Sequence, residues 1–157
     1  HCEDEAARLN RQIKSKLGEV RRQAAEFAPV KVFLCLSRQK DSLRNVMTAG
    51  QGTFLNELLN IAGGDNVFGE LTAEYPQVSM ESLVARKPRV ILEMRPFLQP
   101  TRSSQQILED WNQLDVLPAV ADERVHLVTA DFMLIPGPRI PKTAALLFQT
   151  IHQGTRP

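Results

Sequence analysis

Val30-Lys31-Val32-Phe33-Leu34-Cys35-Leu36 is an apolar run bounded by Ala28-Pro29 on one side and Ser37 on the other. Branched and aromatic residues dominate it, and it is too short for an ordinary helix. It therefore reads as a buried strand. Arg89-Val90-Ile91-Leu92-Glu93 and Val125-His126-Leu127-Val128 have the same character. Helical patterns separate these runs. A strand buried on both faces needs cover on both, and strands alternating with helices supply it. The pattern predicts an α/β fold with a mainly parallel sheet.

Outward from the first strand, residues 3–27 carry Ala6, Leu9, Ile13, Leu17, Val20, Ala24 and Phe27 at spacings of three and four. That is one sticky stripe on a helix. Arg8, Arg11, Lys14, Lys16, Arg21 and Arg22 fall on the other faces and read as a solvated surface. Pro29 disfavours helical geometry at Ala28 and closes the helix. Thr53–Ala62 reads as a short amphipathic helix capped by Thr53 and stopped by Gly63-Gly64. Asn66-Val67-Phe68 reads as a short strand. Ser79 caps a helix over Met80–Arg86, which Lys87-Pro88 ends. Ser103 or Ser104 caps another, with Ile107, Leu108, Trp111 and Leu114 on one face. Leu117-Pro118-Ala119-Val120 leads into a turn at Asp122-Glu123. The last helix is predicted from near Pro138 to about His152, with Pro138 and Pro141 in its first turn. Ser37–Gly52, Arg95–Arg102 and Asp131–Gly137 read as loops.

The chain has 157 residues, one domain's worth at roughly 100–200 residues per domain. Hydrophobic residues make up 43% and charged residues 24%, a globular composition. Nineteen basic and eighteen acidic residues leave a net charge of +1, which gives no electrostatic footprint for nucleic acid or an anionic membrane. Two cysteines, Cys2 and Cys35, are too few for a disulfide framework. No apolar run reaches the ~18 residues of a membrane span. The first residue, His1, reads as the start of a processed or cut-out piece.

Motifs for chemistry are sparse. His1, His126 and His152 are scattered without ligand spacing, so no resident metal is expected. Cys35 lies in an apolar strand and reads as a small core residue. There is no G-x-S-x-G elbow and no P-loop. Gly50-Gln51-Gly52 precedes a helix as a dinucleotide loop does, but Leu55 stands where the third glycine would fall. It reads as a flexible helix entry.

Four stretches together carry a resemblance. They are Ala49-Gly50-Gln51-Gly52-Thr53-Phe54-Leu55-Asn56-Glu57-Leu58-Leu59, Ala62-Gly63-Gly64-Asp65-Asn66-Val67-Phe68, Tyr75-Pro76-Gln77-Val78-Ser79-Met80-Glu81 with Lys87-Pro88-Arg89-Val90-Ile91, and Pro136-Gly137-Pro138-Arg139. In this order, with strands between, they resemble the carboxy-terminal lobe of the substrate-binding proteins of ABC importers for iron–siderophores, haem and cobalamin. The Tyr75 stretch is most similar to cobalamin binders, which carry tryptophan at that position. The resemblance implies a Rossmann-like three-layer lobe over residues 29–157. It also implies that residues 1–28 are the second half of a long helix bridging two lobes, the amino-terminal lobe being absent. Cys2, in the middle of such a parent, is not expected to be a lipid site.

The resemblance further implies a binding protein, not an enzyme. It would be periplasmic or extracytoplasmic, free or lipid-anchored, with no resident cofactor and a metal chelate as cargo. Ligands of open parallel sheets bind outside the carboxyl ends of the strands. The loops there offer Arg38, Phe97, Phe132, Met133 and Arg139, and the resemblance marks Tyr75 as ligand-facing. Rings and soft sulfur suit a macrocycle or catechol, and arginines suit anionic substituents. Arg95 is set aside, since it pairs with Glu93 or lies in solvent. A glutamate at the position of Glu81 docks, in this family, onto arginines of the permease. Two other readings stay open: a nucleotide-dependent enzyme using the Gly50 loop, and a non-transport scaffold with the same lobe.

Overall fold

The computed structural model describes residues 2–96 and 103–154. Its elements are α1 (Cys2–Ala24), β1 (Val30–Cys35), β2 (Val46–Met47), α2 (Phe54–Ile61), β3 (Gly64–Asn66), β4 (Gln77–Val78), α3 (Met80–Arg86), β5 (Val90–Met94), α4 (Ser104–Glu109), a 3-10 turn (Asp110–Leu114), α5 (Pro118–Ala121), β6 (Val125–Val128) and α6 (Ile140–Ile151). A four-stranded sheet has the order β3-β1-β5-β6, and every neighbouring pair is parallel. The α/β expectation and its three layers hold. After β1 the chain moves to one side for β3, then crosses to the other for β5. The direction of winding thus reverses between β1 and β5.

The strands alternate their side chains between two cores. Val32, Leu34, Val90, Leu92 and Met94 face a cluster shared with Val20 of α1, Leu55, Leu58 and Leu59 of α2, and Leu147 and Ile151 of α6. Phe33, Cys35 and Ile91 face the opposite cluster with Leu83 of α3, Trp111, Leu117 and Ala119. Burial pushes the Cys35 thiol well above its ordinary range, so it is an inert core group.

Local chemistry explains the element ends. Thr53 and Ser79 accept from the backbone N–H groups of Asn56 and Ser82, as N-caps do. Ser103 and Gln106 form a reciprocal capping box on α4. Lys87 ends α3 in the left-handed conformation, at φ 51°. Several boundaries differ from the sequence reading. α1 stops at Ala24, and its first half has no cover: residues 3–12 are all exposed, Leu9 among them. Only Val20 and Ala24 of its stripe are buried. The short third strand is Gly64–Asn66 rather than Asn66–Phe68. Pro118–Ala121 is a brief helix rather than a lead-in, because Pro118 suits a first helical turn. α6 starts at Ile140, leaving Pro138 outside it and Pro141 in its first turn.

The end of α6 closes the first core. His152 packs on Phe27 and Phe148, with ring centroids 4.5 Å and 4.9 Å away, and its Nε2 lies 3.0 Å from the Ala62 carbonyl oxygen. Burial, with nearby Arg124, holds His152 below the ordinary histidine value. The same two causes act on His126 of β6, whose buried Nε2 has no hydrogen-bond partner among the described residues. Both rings are thus more readily protonated in the unfolded chain. Their contribution to stability is complete above the unfolded value of 6.5 and is lost as the pH falls below it. The urea midpoint should drop as the pH is lowered through 6.5, and the double variant His126→Gln, His152→Gln should show a flatter profile.

Candidate functional site

The carboxyl ends of β1 and β5 carry a buried ion network. Glu93, the one charged residue inside the β5 run, is 1% exposed. Its Oε1 accepts from Arg38 Nε at 3.0 Å and from Arg95 Nε and NH2 at 2.8 Å, and its Oε2 accepts from Trp111 Nε1 at 2.7 Å. Arg38 also reaches Asp110 Oδ2 at 2.8 Å and donates to the carbonyls of Ser42 and Ile107. Burial alone would lower the Arg38 guanidinium, but Glu93 and Asp110 hold it above its ordinary value.

This corrects the expectation that Arg38 meets a ligand. Its side chain has no accessible surface, and its donors are committed to the protein. Met133 is corrected too: it is fully buried in the core shared by α1, α2 and α6. Phe97 lies outside the described residues.

The remaining candidates are at the surface. Tyr75 is 47% exposed, just before β4. Glu81 is exposed in the first turn of α3, just after β4. β4 pairs antiparallel with β2, and Met47 of β2 in turn exchanges hydrogen bonds with Leu36 and Ser37 at the end of β1. A small second sheet therefore extends β1 and carries Tyr75 and Glu81 on its two flanks. Beyond β6, half-buried Phe132 lies under Arg139, whose guanidinium carbon is 5.7 Å from the ring centroid. Arg139 NH1 is 3.5 Å from Asp131 Oδ1. The structure brings Phe132 and Arg139 together on one strand-end loop, and Tyr75 and Glu81 together on the small sheet.

The loop bearing Tyr75 is held by the glycine motif. The Gly50 amide donates to Glu74 O and the Gln51 amide to Leu71 O, both at 2.8 Å. A Cβ on Gly50 would collide with the carbonyl oxygens of Ala73 and Leu71. Asn66 completes the clamp by donating to Ala49 O and Asn56 Oδ1, while its Oδ1 accepts from the Phe68 amide. Gly50-Gln51-Gly52 is thus a docking turn. Two of the amides a phosphate would need are already taken, and the nucleotide reading loses its site.

Sequence reasoning passed over Arg95. It is the first residue after β5, and its amide donates to Val128 O at 2.8 Å, continuing the ladder toward β6. Its side chain is 31% exposed. A glutamate inside the apolar run Val90–Met94 was the available signal, because a buried carboxylate demands cationic partners. An apolar groove of about 390 Å³ between α1 and α6 includes Leu9, Ile13, Val20, Pro141 and Ala145. It lies along the helices, away from the strand ends.

The profile of the periplasmic binding protein family matches residues 1–131. The vitamin B12-binding protein of Vibrio cholerae is 28% identical over 127 residues, which are 81% of this chain and 42% of that protein. The crystal structure of the periplasmic vitamin B12-binding protein of Vibrio cholerae superposes with a TM-score of 0.69 at 26% identity, covering 88% of this chain and 50% of that one. An ABC transporter substrate-binding protein from Listeria monocytogenes superposes at 0.82 with 19% identity, over 96% of this chain and 58% of that one, a likeness of fold. The chain thus spans 42%, 50% and 58% of these three proteins, about half their length. Among the described residues, no helix is long and apolar enough to cross a membrane.

The network at Glu93 predicts a large stability loss on its removal. Glu93→Ala leaves two guanidinium groups without their shared counter-ion and should cost about 3–5 kcal/mol, read from urea unfolding. Tyr75→Ala, at an exposed loop, should stay within about 0.5 kcal/mol of the parent.

Proposed function

This chain belongs to the periplasmic binding protein family, and we propose that it is one lobe of a substrate-binding protein that hands a metal chelate to the permease of an ABC importer. Cobalamin, haem and iron–siderophores are the chelate class. The observation that carries this reading is the strand-end surface, where Tyr75 stands exposed on the small sheet that extends β1, next to the reversal of winding, and the Phe132–Arg139 pair follows the edge strand β6. Open parallel sheets bind their ligands there. The likeness to vitamin B12-binding proteins supports the same reading.

The work of such a lobe is capture without covalent chemistry. Tyr75 offers a ring to a flat macrocycle or an aromatic chelator arm, a contact worth about 0.5–1.5 kcal/mol beyond its buried area. Arg139, stacked over Phe132, meets carboxylate or phosphate substituents. A second lobe supplies the opposite wall, and α1 is the link between them. Closure around the cargo is limited by the stiffness of that helix. Glu81 contributes an exposed carboxylate for arginines of the permease. The nearest alternative, a scaffold outside transport, predicts no chelate affinity at all.

A titration followed by chelate absorbance tests both roles at once. This chain should bind cyanocobalamin, haem or a ferric siderophore weakly, because it presents one wall of the cleft. Tyr75→Ala should weaken that binding about threefold to tenfold. Glu81→Ala should leave it unchanged while reducing co-purification with the permease. Nanomolar affinity in this chain, or no response to Tyr75→Ala, overturns the assignment.

A further inference from the structure

The amino ends of the strands, at the pole opposite Tyr75 and Arg139, carry a cluster of cations of their own. Lys31 is the second residue of β1, Arg89 directly precedes β5 and Arg124 directly precedes β6. These strands are neighbours in the sheet, and its ladder holds the three backbones side by side. The Arg89 amide donates to Lys31 O at 2.8 Å, and the Ile91 amide donates to Arg124 O at 3.0 Å. A pocket of about 330 Å³ opens beside them, and Phe27, Pro29, Lys31, Arg89, Arg124 and His152 contribute to its lining. That volume falls at the small end of the range for small-molecule sites. The five residues of β5 separate this pole from the carboxyl ends by roughly 15 Å.

We propose that this pocket is a second binding site, for a small organic anion: a phosphate monoester or carboxylate carried on a flat apolar body. It uses the opposite end of the sheet and does not rest on the transport reading. Arg124 is the anchor. Its NH2 donates to Ile151 O at 2.6 Å, and among the described residues its Nε and NH1 have no partner. The remaining N–H groups suffice for a forked contact with two anionic oxygens. Because one end of the guanidinium is already tied to α6, little rotamer freedom is forfeited when an anion arrives.

The cations outnumber their counter-ions. Arg89 reaches Asp122 at 3.3 Å, but both side chains are about half exposed, so the pair is weak. Among the described residues, neither Lys31 nor Arg124 has an ion pair. Burial and the neighbouring charge of Arg89 hold the Arg124 guanidinium below its ordinary value, with Asp122 opposing. Two like charges beside one pocket repel, and an anion between them removes that cost. The other wall is apolar. Phe27 is half-buried, with its ring 4.5 Å from that of His152, and Pro29 follows it toward β1. An aromatic body stacks on this wall while its anionic group faces the arginines.

The test is a titration of the chain with phenyl phosphate, followed by amide NMR, with inorganic phosphate and phenol in parallel. Shifts should gather at Lys31, Arg89 and Arg124, and phenyl phosphate should bind at least about threefold more tightly than inorganic phosphate. Phenol should not bind. Arg124→Gln should weaken phenyl phosphate about tenfold and Arg89→Gln at least about threefold. Arg89 is exposed, so Arg89→Gln keeps the test decisive should Arg124→Gln fail to fold. Tyr75→Ala, at the far pole, should change the affinity less than about twofold. Equal affinity for phenyl phosphate and inorganic phosphate overturns the proposal, since it marks a basic patch without an apolar wall. An affinity unchanged in Arg89→Gln, or binding to phosphatidylglycerol vesicles with no response to phenyl phosphate, also overturns it. Each of these outcomes leaves the transport reading standing.

Discussion

A carboxylate with almost no water around it, Glu93, ties the strand ends to the helices behind them. Burying one such charge costs several kcal/mol unless cations and donors surround it. Here the partners come from the end of β1, the end of β5 and the 3-10 turn, through Arg38, Arg95 and Trp111. Asp110 and the carbonyls of Ser42 and Ile107 occupy the rest of Arg38. An apolar replacement of similar volume could match this network in stability, since buried ion pairs seldom outdo good packing. It could not hold a charged arm at the surface. The network converts stability into placement, and the placement falls where the sheet reverses its winding.

The second constraint is the clamp at Gly50, Asn56 and Asn66. It carries no charge, yet it decides where Tyr75 stands. The Tyr75 loop lends its carbonyls to the Gly50 and Gln51 amides, and Asn66 joins the turn before α2 to the end of β3. An exposed aromatic on a slack loop would lose much of its contact energy to ordering on binding. A loop tied to the sheet at its base loses less. The small β2–β4 pair extends the same logic to Glu81, which follows β4 directly on a capped helix. The exposed ring of Tyr75 and the exposed acid of Glu81 are thus separated by a strand too short to bend.

Much of the fold was legible in the sequence because its determinants are local. The Val30–Leu36 run, the N-caps at Thr53, Ser79 and Ser103, and the Lys87-Pro88 stop need no knowledge of distant residues. β2 and β4 were not legible. Each is two residues long, and they pair with one another across some thirty residues. The site divides in the same way. The exposure of Tyr75 and Glu81 was legible, because loop and helix-start positions favour the surface. Arg38 and Met133 were misjudged because a residue after a strand can turn inward, and the cause lies far along the chain. Arg38 turns in toward Glu93, 55 positions later. Arg95 was set aside as paired or solvated, and the structure makes it both.

Seen from the strand ends, the lobe offers an open face. Tyr75, Arg95 and the Phe132–Arg139 loop come from three separate segments, on or beside a sheet whose core is closed beneath them. Ligands of drug size or larger are usually held with about 70–90% of their surface buried. A single open face covers one side of a flat chelate at best. On the reading proposed above, the rest of the coverage comes from a second surface placed opposite, and its placement depends on a rigid link. The 23-residue α1 has the dimensions for that role, roughly 35 Å at 1.5 Å per residue. Its C-terminal half is anchored against α2 and α6, while residues 3–12 stand clear of the lobe. An apolar stripe left uncovered on a helix that long is costly in water. Its persistence through Ala6 and Leu9 leaves a face along which another apolar surface can pack.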